Sequence, residues 1–138
     1  MLLILTFCAL VFSACQSQSE EMTLIDNITN ISISESNGYG GVNESYFISI
    51  SQADADAISD FEEVLKNVKA KKQKVDTVAA KPDYDILVRY ENGETHGLHL
   101  LLRNDGDESE IMYIGHEENS YIISPEDTNK LKKLLEIK

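Results

Sequence analysis

Apolar and polar residues change places along this chain with two distinct periods, and each run predicts an element. Ile31 and Ile33, interleaved with Ser32 and Ser34, predict a strand over about 29–36. Asn37-Gly38-Tyr39-Gly40-Gly41 interrupts it. Tyr46, Ile48 and Ile50 then alternate into a second strand over about 45–50. The spacing next widens to three and four. Ala57, Ile58, Phe61, Val64, Leu65 and Val68 form one stripe of a helix, with Ser51 as its N-cap and Asp54 three residues on. Asp54, Asp56, Asp60, Glu62 and Glu63 crowd its start, and Lys66, Lys69, Lys71, Lys72 and Lys74 crowd its end. That order of charge complements the helix dipole.

Alternation returns after a linker from Val75 to Asp83, where Pro82 stops any helical drift. Tyr84, Ile86, Val88 and Tyr90 predict a third strand. Asn92-Gly93 predicts a two-residue hairpin turn with positive φ at both positions, leading into a fourth strand over about 94–102. An acidic loop at Asn104-Asp105-Gly106-Asp107-Glu108 precedes strands at Ile111–Ile114 and Tyr121–Ile123. Ser124-Pro125-Glu126-Asp127 reads as a helix start, with an N-cap serine and proline in the first turn. Leu131, Leu134 and Leu135 turn that last helix toward a core. The order ββα-ββββ-α, with about six strands, predicts an α+β fold: a mainly antiparallel sheet with two helices packed on it.

The N-terminus follows neither period. Leu2 through Phe12 is an uncharged apolar run closing on Ser13-Ala14-Cys15, after which the chain turns polar at Gln16-Ser17-Gln18-Ser19-Glu20-Glu21. The run is shorter than the roughly 20 residues that cross a bilayer and fits a signal-peptide core. Small residues before a cysteine, whose thiolate can take a diacylglyceryl group, are the pattern of a bacterial lipoprotein. The expected organisation is a signal peptide over 1–14, lipidated Cys15 with a polar tether over 15–27, and one α+β domain over 28–138. No Lys or Arg precedes the apolar run, so an upstream start supplying one is expected. A single acyl chain holds a protein to a membrane only marginally, and a diacylglyceryl cysteine supplies two.

Composition narrows the partners. The chain has 12 Lys and Arg against 24 Asp and Glu, a formal charge of −12. Such a surface repels nucleic acid and anionic headgroups. Cys15 is the last cysteine, so the mature chain forms no internal disulfide.

At Ile31-Ser32-Ile33-Ser34-Glu35-Ser36-Asn37-Gly38-Tyr39-Gly40-Gly41-Val42-Asn43 the chain resembles the YhfM-like family of small Bacillus and Firmicute lipoproteins. The resemblance continues through Pro82-Asp83-Tyr84-Asp85, Gly97-Leu98-His99-Leu100 and Met112-Tyr113, and spans residues 28 to 137. It implies a location and a fold. It assigns no functional residues.

Candidate chemistry is sparse. Gly38-Tyr39-Gly40-Gly41-Val42-Asn43 lacks the glycine spacing of a phosphate loop, and a strand follows it instead of a helix. It reads as a tight connection whose alternative role is to bind a ligand or partner through Asn37, Tyr39 and Asn43, with His99 nearby. His96 and His99 are three apart on a strand, point to opposite faces, and cannot chelate one metal together. Asp105, Asp107 and Glu108 form a weak Ca²⁺ candidate that meets no EF-hand register. There is no GxSxG elbow, no HExxH and no mature cysteine nucleophile. The sequence is therefore expected to encode no enzyme and to need no cofactor. It predicts an extracytoplasmic, lipid-anchored module that binds the membrane through Cys15 and an envelope protein through its folded domain. The alternative is a module for a small ligand or Ca²⁺.

Overall fold

The structure, a computed structural model, describes residues 20–71 and 81–136. The expected signal peptide, Cys15 and most of the Val75–Asp83 linker lie outside them. Seven strands form one antiparallel sheet: β1 (Ile28–Glu35), β2 (Ile48–Ser51), β3 (Lys69–Ala70), β4 (Tyr84–Tyr90), β5 (Thr95–Leu101), β6 (Ser109–Tyr113) and β7 (Ser120–Ile123). Their order across the sheet is β2-β1-β4-β5-β6-β7-β3. Helices α1 (Ala55–Asn67) and α2 (Pro125–Leu134) pack together on one face.

Alternation decides which residues meet the helices. Ile31 pairs with Val88 and Ile33 with Ile86, Ile86 pairs with Leu98, and Leu100 pairs with Ile111. All seven are essentially inaccessible and join Phe61, Val64, Leu65, Leu131 and Leu135 in one core. Burying a side chain such as Phe61 contributes roughly 1.5–3 kcal/mol. α2 starts as its sequence predicts: Ser124 Oγ accepts from Asp127 N at 3.1 Å and Pro125 opens the first turn.

Several details differ from the sequence reading. The N-cap of α1 is Asp54, whose carboxylate accepts from Ala57 N at 3.1 Å; Ser51 ends β2 instead. The helix stops at Asn67, well before the lysine run is exhausted, because Val68 turns extended and is buried. Lys69 and Ala70 then pair with Ile122 and Tyr121, adding a seventh strand too short to show a period. Lys71 still bonds Ser120 O through its backbone, and its side chain pairs with Glu110 at 2.6 Å.

The Asn92-Gly93 turn is also not a two-residue one. Gly93 has φ +87°, whereas Asn92 has no positive φ. Tyr90 N bonds Glu94 O and Gly93 N bonds Tyr90 O, so three residues, 91–93, make the connection. This is a turn closed by a glycine in the left-handed region, which shifts the pairing by one residue from the tighter turn.

Finally, residues 20–27, which the sequence places in a polar tether, make contacts with the domain. Met22 is buried, Leu24 packs on the core, Glu20 O accepts from Ala70 N, and Tyr113 Oη binds the backbone of Thr23. Among the described residues no helix is long and apolar enough to cross a membrane.

Candidate functional site

The sheet face opposite the helices holds the chemistry. A row crosses it from strand to strand: Ser34 pairs with Asp85, Asp85 with His99, His99 with Met112, and Met112 with Ser120. Each of the five is fully inaccessible. Among the described residues no helix covers them. On this face the β1–β2 connection, residues 36–47, meets Ser34, Asp85 and His99, and the β6–β7 turn meets His99.

Polar bonding under this cover is dense. His99 Nδ1 lies 2.8 Å from Asp85 Oδ1, and Asp85 Oδ2 accepts from Asn43 N at 2.8 Å. The carboxylate thus ties a strand histidine to the backbone of the loop above it. Ser34 Oγ donates to Asn43 O. The Asn43 side chain donates to Glu35 O at 2.8 Å and accepts from Ser45 N at 3.1 Å, so its amide is spent on shaping the loop. Tyr39 meets His99 edge-on, with ring centroids 5.6 Å apart and planes at 87°. Gly38 and Gly40, on either side of Tyr39, have φ of +107° and +146°, values that favour glycine. Gly97 permits the close approach: a Cβ there would stand 3.0 Å from Val42 Cγ2 and 3.1 Å from Ile114 Cδ1.

His99 has a second neighbour. Glu117 Oε1 lies 3.7 Å from Nε2 and is itself held by Gly115 N at 2.8 Å. The Nε2 atom is buried and makes no hydrogen bond.

His96, on the helix side of the sheet, belongs to a different cluster. Its Nδ1 is 2.7 Å from Tyr90 Oη, and its ring meets Tyr90 and Tyr113 edge-on. Burial, with Tyr113 adding a smaller push, raises Tyr90 to about 12. Burial also lowers His96 below the usual histidine value, against an opposing pull from Glu94. A phenol that keeps its proton beside an imidazole that resists a second one makes Tyr90 the donor. A shallow groove of about 390 Å³ opens beside this cluster, lined by His96, Tyr113, Ile114 and His116.

Of the four binding candidates, the structure brings Tyr39, Asn43 and His99 together: Tyr39 packs edge-on against His99, and Asn43 N bonds the carboxylate that holds His99. Asn37 is exposed on the loop. The weak Ca²⁺ candidates do not converge: Asp105 pairs with Lys132 at 2.6 Å, while Asp107 and Glu108 are exposed in the turn. Among the described residues no three His, Cys, Asp or Glu side chains could hold a metal ion. Asp85 and Glu117 were not singled out from the sequence. Asp85 carried a signal, being a carboxylate at a strand position flanked by core residues. Glu117 carried none, since it sits in an irregular turn.

An α+β domain with a single antiparallel sheet, helices on one face and a loop-sealed Asp–His pair on the other is the class this geometry defines. The chain belongs to the YhfM family: residues 26–138 match the family described as YhfM protein. No curated protein matches the chain. Among solved structures, it is similar to a thioesterase-like protein from Clostridium sporogenes, at 20% identity and a TM-score of 0.57. That similarity covers 78% of this chain and 93% of the other, and speaks to the fold alone.

Proposed function

We propose that this YhfM-family chain is a lipid-anchored module on the outer face of a bacterial cytoplasmic membrane. It acts there without catalysis, as a binding or accessory partner of an envelope protein. The observation that carries the non-catalytic part is the state of the Asp85–His99 pair. Both side chains are 0% exposed, and the pair spends its bonds on holding the β1–β2 loop. A carboxylate–histidine pair working as a general base needs a substrate proton within hydrogen-bond reach. Here the neighbouring groups are Tyr39, Asn43 and Glu117. The loop is the surface offered to a partner. It displays Asn37, Glu44, Ser45 and Phe47, the last of them 51% exposed beside Tyr84. The anchoring part rests on Ser13-Ala14-Cys15 closing the apolar run.

Two measurements test the reading. A palmitate analogue should label the wild type and leave Cys15→Ala unlabelled. A photo-crosslinker at Phe47, on intact cells, should capture one dominant membrane protein. Label retained by Cys15→Ala would remove the anchor. Hydrolysis of a simple acyl thioester by the purified domain, lost in His99→Gln, would overturn the non-catalytic role.

A further inference from the structure

His99 sits between two carboxylates it does not engage equally, and the loop that covers it is tied to the same pair. We propose that His99 is a proton-operated latch that fastens the β1–β2 loop and the β6–β7 turn over the sheet. Three titratable groups meet the ring: Asp85 from β4 at 2.8 Å, Glu117 from the β6–β7 turn at 3.7 Å, and Tyr39 from the loop, edge-on.

The bonding to Asp85 fixes one end of the imidazole. Asp85 presents acceptor oxygens to both His99 Nδ1 and Asn43 N, so the Nδ1 proton points at Asp85. The other end is then decided by protonation. With a proton on Nε2 as well, the imidazolium faces Glu117 as a donor, and two carboxylates on separate segments close on one cation. Without it, a buried nitrogen lone pair confronts a carboxylate oxygen 3.7 Å away. That contact is repulsive. Glu117 is the member free to leave, because its side chain is 19% exposed while Asp85 and His99 are 0% exposed. Its departure releases the Gly115 N–H it holds and loosens the turn that carries Ile114 against Gly97. The loop follows by way of its packing. Val42 and Ile114 share the space above Gly97, and Tyr39 packs edge-on against the same imidazole. Protonation closes the cover and deprotonation frees it.

This goes beyond the partner-binding role, and its test uses neither partner nor membrane. Hydrogen exchange of the 36–47 and 114–119 segments is followed on the purified full chain between about pH 5 and about pH 8, corrected for intrinsic exchange. The wild type should open about tenfold more readily at the upper end, the smaller figure for losing a hydrogen bond to a charged group. Glu117→Gln is the decisive variant, since an amide can donate to a neutral Nε2. It should stay closed across the range and lose the pH dependence in both segments together. His99→Gln should also flatten the response. Wild-type protection that ignores pH, or a Glu117→Gln variant with the wild-type dependence, would overturn the latch. Because Glu117 is partly exposed, its amide variant is safe for folding, and the latch stays testable even where His99→Gln fails to fold.

Discussion

Removing Asp85 in two ways measures what the buried pair contributes. In Asp85→Ala, the acceptor of two donors vanishes: the buried His99 Nδ1–H and the half-buried Asn43 N–H, both now bonded at 2.8 Å. Each orphaned donor costs about 1–3 kcal/mol, so the variant should lose about 2–6 kcal/mol. Asp85→Asn has nearly the same shape and keeps an acceptor. Its amide oxygen can take the Asn43 N–H while its NH₂ donates to Nδ1, once the imidazole proton moves to Nε2. That rearrangement satisfies both sites, and the loss should stay within about 1 kcal/mol. Urea unfolding decides between them, with the midpoint moving and the slope constant if only the native state is affected. A loss of several kcal/mol is large against the roughly 5–15 kcal/mol that holds such a domain together. Equal losses in the two variants, or an Asp85→Ala loss below about 0.5 kcal/mol, would refute the idea that this carboxylate fastens the loop.

Other positions give sharper local tests. Gly97→Val forces a side chain into Val42 and Ile114 and should cost about 1–3 kcal/mol by overpacking, partly recovered when Val42→Ala is added; a neutral Gly97→Val would mean the loop does not press on β5. Gly40→Ala, at φ +146°, should cost about 1–3 kcal/mol in chemical denaturation, and no change would show that the loop relaxes freely. His96 is depressed by burial, so the unfolded chain takes up its proton first as pH falls through the window just below the ordinary histidine value. Stability should therefore drop there and level off once the folded His96 also protonates, and His96→Gln should remove that part of the acid loss in melting curves at about pH 5 and about pH 7. Ser124→Ala removes the cap of α2 and should cost about 0.5–2 kcal/mol, with urea melts as the check.

Local chemistry made much of the fold legible. The period-two runs gave β1, β2, β4, β5, β6 and β7 to within a few residues, because each strand carries its own alternation of core and surface. The three-and-four stripe gave α1, and Ser124-Pro125 gave the start of α2, since capping acts within one turn. Charge misled at the end of α1: lysines suit a helix terminus, yet Lys69 and Lys71 instead follow the burial of Val68. The two residues of β3 have no period of their own and exist as a strand only because β7 offers an unpaired edge.

The candidate site depends on one register. A two-residue turn at Asn92-Gly93 would set Leu100 opposite Asp85, whereas the three-residue connection sets His99 there. The sequence contains the arbiter, because the one-residue shift would put Ile86 and Val88 on the face opposite Leu98 and Leu100. The partnership of Asp85 and His99 was therefore implicit in the alternation of two strands. What no local pattern could specify is the cover. Residues 36–47 and Glu117 meet His99 through contacts between segments far apart in the chain, and such contacts arise only once the whole sheet has put its unhelical face in one place.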